Sequence, residues 1–479
     1  MPAEEKKVEG KKVTEKNANR IRENSGVAAA FAGINFITAP ERVFGANDRV
    51  RVGVCGIRGQ GFGHVEEFSR MPNVEVAAVC DVDETIMAGR LADMARMALP
   101  APKTYADIRN LLDDTSIDAI SIATPNHWHS LMGIWAVQAG KDVYIEKPCC
   151  HSLWEGQQLV RAAKKHDRIV QHGTNNRSAG AVIEGVQKMR EGLIGDVYLA
   201  RGLCFNHRDT IGRASVEPVP AGVNYDLWTG PSPLHPFTRN RFHYNWHWFW
   251  DTGNGDIGNQ GVHQIDVARW GLGVRFPNKV SAVGGHFMFD DDQETPNTLN
   301  AAFEFNQPGS KPKILEFEVR HWMTNQEAGI GSLGFGEAIP GFLGPPRRNA
   351  SGGRRGRVSG SVGNIFYGSK GYMAMSNEEF PSYRTWLGEE QEPGPSGSRE
   401  GNNWEDFIRC VRSRKKEERN APIEEGYISC ALIHLANTSY RLGRTLNFDP
   451  KTERVIGDDE ANKLLGGTYR APYVIPDVV

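Results

Sequence analysis

Hydrophobic and polar positions change rhythm several times along this chain. Residues 1–25 are Lys/Glu-rich and polar, the pattern of a disordered arm. An apolar run from Gly26 to Ala39 follows and is too short to span a bilayer. A charged lead, a short apolar run and the small residues Gly45-Ala46 are arranged as in a secretory signal, and Arg20-Ile21-Arg22 as in an interrupted twin-arginine signal. The broken arginine pair and Asn35 inside the apolar run favour the other reading, an arm that packs on a partner subunit or on the first domain. Cytoplasmic residence is therefore expected, with periplasmic export as the alternative.

From Arg49 the pattern alternates with period two: Val50, Val52 and Val54 against Arg49, Arg51 and Gly53, which predicts a strand. Further strands are predicted over 74–80, 119–123, 143–146 and 168–173. Helices are predicted between them over 64–70, 108–112, 130–138 and 153–166. Strands alternating with helices imply a doubly wound parallel sheet of the Rossmann kind. Beyond it a helix is expected over 181–191. Strands are expected from Val197, over 280–289, 298–305 and 313–320, and as a hairpin over 365–375 with Gly368 and Gly371 at its turn. Amphipathic helices are predicted over 402–412 and 424–442, and an extended arm after 445. Four segments result: 1–48 an arm or signal-like stretch, 49–174 a nucleotide domain, 175–445 an α+β domain, and 446–479 the arm.

Candidate chemistry gathers where strands end. The first strand runs into Gly56-Ile57-Arg58-Gly59-Gln60-Gly61 and then a helix. Such a turn cradles a pyrophosphate on backbone N–H groups and the helix dipole. Asp81 ends the second strand, twenty residues past Gly61, where an acid grips a ribose 2′-hydroxyl and disfavours a 2′-phosphate. NAD is therefore expected over NADP. Arg58 stands where the motif places its second glycine, a departure that bears on the close approach of backbone to pyrophosphate. The next strand ends in Thr124-Pro125-Asn126-His127-Trp128-His129. Thr124, Pro125 and Asn126 are expected at the cofactor, Asn126 toward ribose or nicotinamide. His129, with His127, is expected at the helix start and cofactor wall. The His-x-His pair has no acidic third ligand nearby, and no metal is expected.

Val143-Tyr144-Ile145-Glu146-Lys147-Pro148 is the most informative stretch. A buried strand delivers Glu146 and Lys147 to the carboxyl end of the sheet, where ligands sit, and Pro148 stiffens the turn. Lys147 can bind a hydroxyl or shuttle its proton; the bland alternative is an ion pair with Glu146. Asn176 and Arg177, past the last strand, are substrate-binding candidates. So are Tyr244 and His247 in the aromatic stretch 242–250, since sugars offer C–H faces to rings and hydroxyls to His and Asn. An aromatic core seam is the competing reading of that stretch.

Composition narrows the picture. A net charge of -2 gives no general attraction to nucleic acid or membrane. The seven cysteines are odd in number and contain no C-x-x-C, so buried free thiols are expected rather than a disulfide or zinc framework. The arginines at 347, 348, 354, 355 and 357 lie in a Gly/Pro/Ser-rich stretch read as a loop or lid.

Gly56–Gly61, Asp81, Ala123-Thr-Pro-Asn-His-Trp-His129 and Glu146-Lys147-Pro148, in this order, resemble the glucose–fructose oxidoreductase/inositol dehydrogenase/MocA family over about residues 49–445. The resemblance implies a second domain with an open, mostly antiparallel sheet and a substrate held between that sheet and the nicotinamide. It implies that His263 is the general base or proton relay. It also places an aspartate four residues before that histidine, where this chain has Asn259. An amide binds a sugar hydroxyl but shares no proton. Acid/base work then falls on His263 and Lys147, or on Asp256 if its loop approaches. Asp266 is read either as a site residue or as the ion-pair partner of Arg269. The expected activity is NAD-dependent hydride transfer at a secondary hydroxyl or keto group of a sugar, polyol or glycoside. Two rivals are an enzyme that recycles a tightly held NAD (epimerase, sugar–sugar oxidoreductase or redox-assisted glycosidase) and a non-catalytic sugar- or nucleotide-binding protein. A homo-oligomer, dimer or tetramer, is expected; nucleic acid and membrane are not.

Overall fold

Val52 and Val54 are fully buried at the centre of a six-stranded parallel sheet, which is why the alternating valines of the first strand were so legible. The computed structural model describes residues 49–306, 308–322, 327–330, 361–376 and 381–479. The arm or signal expected over 1–48 and the Arg-rich loop lie outside the described residues. The first sheet is built from β1 (Val50–Cys55), α1 (Gln60–Arg70), β2 (Val74–Cys80), α2 (Glu84–Arg96), β3 (Lys103–Tyr105), α3 (Ile108–Leu112), β4 (Ala119–Ile122), α4 (Asn126–Gln138), β5 (Asp142–Ile145), α5 (Leu153–Lys165) and β6 (Val170–His172). Strand order is β3-β2-β1-β4-β5-β6. The order reverses beside β1, so a crevice opens beyond the carboxyl ends of β1 and β4. Helix α4 begins at Asn126, four residues earlier than expected, so His127 and His129 lie within its first turn.

The chain then forms α6 (Gly180–Arg190), β7 (Val197–Phe205), α7 (Tyr225–Thr229), α8 (Gly255–Asn259), α9 (Gly261–Leu272), β8 (Lys279–Gly285), β9 (Thr298–Phe305) and β10 (Lys313–Arg320). After these come β11 (Ser361–Gly368), β12 (Gly371–Ser376), β13 (Ser382–Leu387), β14 (Glu392–Pro393), β15 (Gly397–Ser398), α10 (Asn403–Ser413), α11 (Ile423–Leu442), β16 (Leu446–Asp449), β17 (Arg454–Val455) and α12 (Asp459–Gly466). The second sheet runs β14-β13-β12-β11-β7-β10-β9-β8-β16-β17, with β15 on β13. Among the described residues only β7 and β10 of this sheet pair in parallel; the other neighbours are antiparallel. Alternate residues of β9 and β10 are buried, as a sheet with one covered face requires. Helices α9 and α11 cover that face.

Two expectations need correction. Helix α11 is not amphipathic: every residue from Gly426 to Ser439 is buried, because the helix runs between the two sheets. The segment after 445 is no extended arm. Its β16 pairs with β8, and α12 follows. The last residues are strapped down by Lys165 Nζ donating to the Val479 carbonyl at 2.6 Å and Arg470 donating to Asp226 at 2.6 Å.

A buried charge network welds the two layers. Arg177, on the 3-10 turn after β6, donates to both Asp266 oxygens at 2.7 and 2.9 Å. Arg269, 2% exposed, bonds Glu425 of α11 through Nη2 at 2.5 Å. Asp266 thus pairs chiefly with Arg177; its contact with Arg269 is 3.7 Å. Removing one member of such a network strands the others in low dielectric. Asp266→Ala should therefore lower stability by about 3–5 kcal/mol in urea melts, more than Arg177→Met combined with Asp266→Leu.

Glu155 of α5 is 2% exposed, and burial lifts its carboxyl to about 8 despite the His151 N–H at 2.8 Å. An unfolded glutamate releases its proton near ~4.3. Between these values the native state binds more protons, so stability falls as pH rises. Glu155→Gln should flatten this slope: between about pH 5 and pH 9 the wild type should lose about 4 kcal/mol more than the variant.

Candidate active site

Glycines set the first wall of the crevice. Gly56 has φ +79, and a Cβ there would lie 2.7 Å from the Ala123 carbonyl. A Cβ on Gly61 would lie 1.9 Å from the Gly56 carbonyl oxygen, an impossible contact. Around Gly59, which caps α1, the Cβ direction is open. The open approach to backbone N–H groups thus falls at Gly59, one residue after Arg58. Arg58 itself is exposed and sends its guanidinium to His243 Nε2 at 2.8 Å. Gln60 reaches instead toward Glu146 Oε1, at 3.4 Å.

Asp81 closes the far end. One oxygen accepts from Ile57 N at 2.9 Å and the other from Asp83 N at 3.1 Å. Burial raises its carboxyl above the usual range, offset in part by these two N–H groups. Thr124 and Pro125 form the turn from β4 into α4, with Pro125 in the N-cap position. Asn126 is 2% exposed, and its Nδ2 has no hydrogen-bond partner. A buried orphan donor at a crevice wall is costly unless a ligand satisfies it.

His129 differs from the expectation of a cofactor wall. Its two ring nitrogens face the Pro148 and Thr124 carbonyls at 2.6 and 2.7 Å, so the ring braces the β5 turn against the β4 turn. His127 does similar work, facing the Trp228 and Thr252 carbonyls at 3.0 and 3.4 Å.

The centre of the crevice belongs to Glu146, Lys147 and His263. Glu146 is buried and bonded to His64 Nε2 at 3.0 Å; His64 Nδ1 meets Ser121 at 2.8 Å. Burial pushes the Glu146 carboxyl up, but the His64 bond and the nearby Lys147 and His263 outweigh it and hold it at about 2. Lys147 is half-buried, and its Nζ donates to the Asn259 carbonyl at 2.9 Å. That carbonyl is available because the helix breaks after Asn259: His263 N–H turns to the Gln260 carbonyl at 3.2 Å. An ammonium has three donors, so two remain for a ligand. His263 is held neutral, with burial and then the Lys147 charge lowering its pKa to about 3. Its Nδ1 is sealed from solvent without a partner.

Other expected residues are spent elsewhere. Arg177 is committed to Asp266, and Asn176 is buried on the same turn. The Asn259 amide donates to Asp256 at 3.1 Å. Asp256 is buried and saturated: Arg208 clamps both its oxygens at 2.8 Å and His321 Nε2 lies at 2.9 Å. Burial opposes its charge, but Arg208 and His321 keep it well below the usual carboxylate range. The aromatic stretch divides: Phe242 joins Trp228 and Phe237 in a core seam, while Tyr244 is exposed and accepts from Arg208 at 3.1 Å. His247 bonds the Tyr244 carbonyl at 2.6 Å and stacks on Trp246. Burial and the Lys147 charge lower its pKa. Sequence reasoning missed Arg208, His321 and His64. His64 was findable, since it stands one helical turn from Gln60 and both meet Glu146.

Comparison with known proteins agrees with this geometry. Residues 50–174 match the GFO/IDH/MocA oxidoreductase family in its NAD-binding Rossmann fold, and residues 201–284 with 368–475 match the family's C-terminal α/β domain. A glycosyl hydrolase family 109 protein of Shewanella putrefaciens is 30% identical over 154 residues, 31% of this chain and 34% of that protein. An alpha-N-acetylgalactosaminidase of Shewanella oneidensis is 28% identical over 152 residues, 31% of this chain and 33% of its own. The match thus spans about a third of each relative. In fold, the chain is similar to the WlbA dehydrogenase of Bordetella pertussis, solved with NADH and UDP-GlcNAcA: TM-score 0.57, 17% identity, 84% of this chain and 99% of that one. The glycine cradle, Asp81 and the orphan Asn126 donor fit a dinucleotide.

The two glycines should separate by experiment. Gly61→Ala should lower the melting temperature and weaken NADH binding together. Gly59→Ala should leave melting unchanged while fluorescence titration shows NADH binding weaker by roughly tenfold, about 1.4 kcal/mol.

Proposed function

We propose that this chain, which belongs to the Gfo/Idh/MocA family of NAD-binding oxidoreductases, oxidises or reduces a secondary hydroxyl or keto group of a sugar, polyol or glycoside. The observation that carries this reading is the placement of Lys147. Lys147 follows the end of β5, its Nζ is anchored by one bond to the Asn259 carbonyl, and its charge adds to burial in lowering the pKa of His263. NAD, when bound, supplies the hydride acceptor. Asp81, at the ribose position, supports NAD over NADP.

Lys147 binds and polarises the substrate hydroxyl with its remaining donors. His263, neutral at physiological pH, accepts the hydroxyl proton. Glu146, ionised and tied to His64, steadies Lys147 electrostatically and fixes the strand end through its own bond to Lys147 N at 3.1 Å. Tyr244 and His247 offer ring faces and polar tips at the substrate side.

A second reading is favoured by the glycosidase names of the relatives. There the NAD would stay in place: oxidation beside the anomeric region acidifies a ring C–H, elimination expels the aglycone, water adds across the resulting double bond, and the keto group is re-reduced. Excess NAD and a panel of hexoses, inositols and glycosides separate the two. Steady accumulation of free NADH supports net dehydrogenation. A nicotinamide signal no larger than the enzyme concentration, while the sugar changes on chromatography, supports recycling. Neither signal would support a binding protein instead.

Lys147→Met should lower kcat by roughly 10²–10⁴-fold while NADH binding stays within about threefold of wild type. Equal loss of both would assign Lys147 a structural role. The pH profile of kcat/KM should show no acid limb from His263 above about pH 4, since its folded pKa is about 3.

A further inference from the structure

Directly behind Lys147 the chain places an unexpected set of donors. Cys149 follows Lys147 by two residues, His172 ends β6, and Cys430 projects from α11; all three are fully buried. One ligand atom from each lies within 4.8 Å of the others. The Cys149 and Cys430 sulfurs are 3.8 Å apart. Two thiolates bound at ~2.3 Å on one tetrahedral zinc sit about that far apart.

Three independent features point into this chamber. His172 Nε2 is buried with no hydrogen-bond partner, an arrangement a folded protein seldom leaves unrewarded. Gly426 brings α11 onto the imidazole: a Cβ there would lie 2.4 Å from His172 Cγ. Cys150, next in sequence to Cys149, is also buried and sits 3.3 Å from His434 Nε2. Gly426, Cys430 and His434 recur every four residues, on one face of α11.

We propose that Cys149, His172 and Cys430 form a binding site for a zinc-like divalent cation, with Cys150 beside its fourth position. Two thiolates and a neutral imidazole cancel the dication's charge, which makes the complex tolerable in an apolar interior. Binding releases two thiol protons and satisfies His172 Nε2. The cation ties the end of β5 and the end of β6 to α11, and so pins the strand that carries Lys147. Because the chamber is closed, the metal enters as the chain folds. The seven thiols are free and buried, as the sequence leads one to expect; the three ligands come from separate elements and so leave no spacing signature.

The full chain, produced in zinc-supplemented medium and purified without chelator, tests this. The expected result is about one zinc per chain, retained on dialysis against EDTA and released on unfolding. X-ray absorption at the zinc edge of the wild-type protein should show sulfur scatterers at about 2.3 Å with nitrogen at about 2.0 Å. Protein grown in cobalt should show thiolate-to-cobalt charge transfer. The metal should disappear in Cys430→Ser and persist in Cys410→Ser, whose thiol packs in another cluster. A folded wild-type chain without zinc overturns the proposal, as does a shell of nitrogen and oxygen only. An intact mass showing a Cys149–Cys430 disulfide in metal-free protein does so as well. The absorption measurement decides even if the serine variants fail to fold.

Discussion

Asp266 is the carboxylate on which the arrangement turns. It is fully buried, receives both arms of Arg177, and takes a further bond from Ser429 of α11 at 2.6 Å. A lone buried carboxylate would be driven to its neutral form. Here burial's upward push is outweighed by Arg177, and the group stays charged. His263 lies one turn earlier on the same helix. The fixed position of α9, and with it the placement of His263 relative to Lys147, therefore depends on a buried charge network. Function and stability share a helix but divide its residues.

Around that network the crevice follows a simple electrostatic plan. An ionised Glu146 sits below Lys147, and neutral imidazoles stand around it. His263 and His247 are both kept unprotonated in part by the same ammonium. One cation amid neutral rings gives a polarising point with several acceptors near it. Nearby in the fold, Arg208 and Asp256 form a buried ion pair in which the two charges cancel.

Much of this could be read from the chain. The valines of β1, the glycine turn, Asp81 and the Glu146-Lys147 strand end are local signals, and local periodicity specifies them. The strand limits of β9 and β10 were read to the residue, since one covered face imposes strict alternation. Failures came where a residue's role is set by distant partners. Arg177 looked like a ligand-binding arginine until Asp266, 89 residues on, claimed it. Arg208 and His321 converge on Asp256 from 48 and 65 residues away, with no motif to announce them. Helix α11 looked amphipathic because Ser429, His434 and Asn437 are polar; each is buried and bonded inside the protein.

The far edge of the nucleotide sheet has a consequence for how the protein is made. His172 N–H on β6 is satisfied by the Ala421 carbonyl at 2.9 Å, and Gln171 by Asn403, 232 residues away. Trp404 stacks on Tyr144, and Phe407 packs on Phe68. During synthesis the first sheet therefore emerges from the ribosome with an open flank and an unsupported strand end. It must wait for more than half of the remaining chain before α10 and α11 close it. That interval is when its apolar edge is open to chaperones and to misassembly.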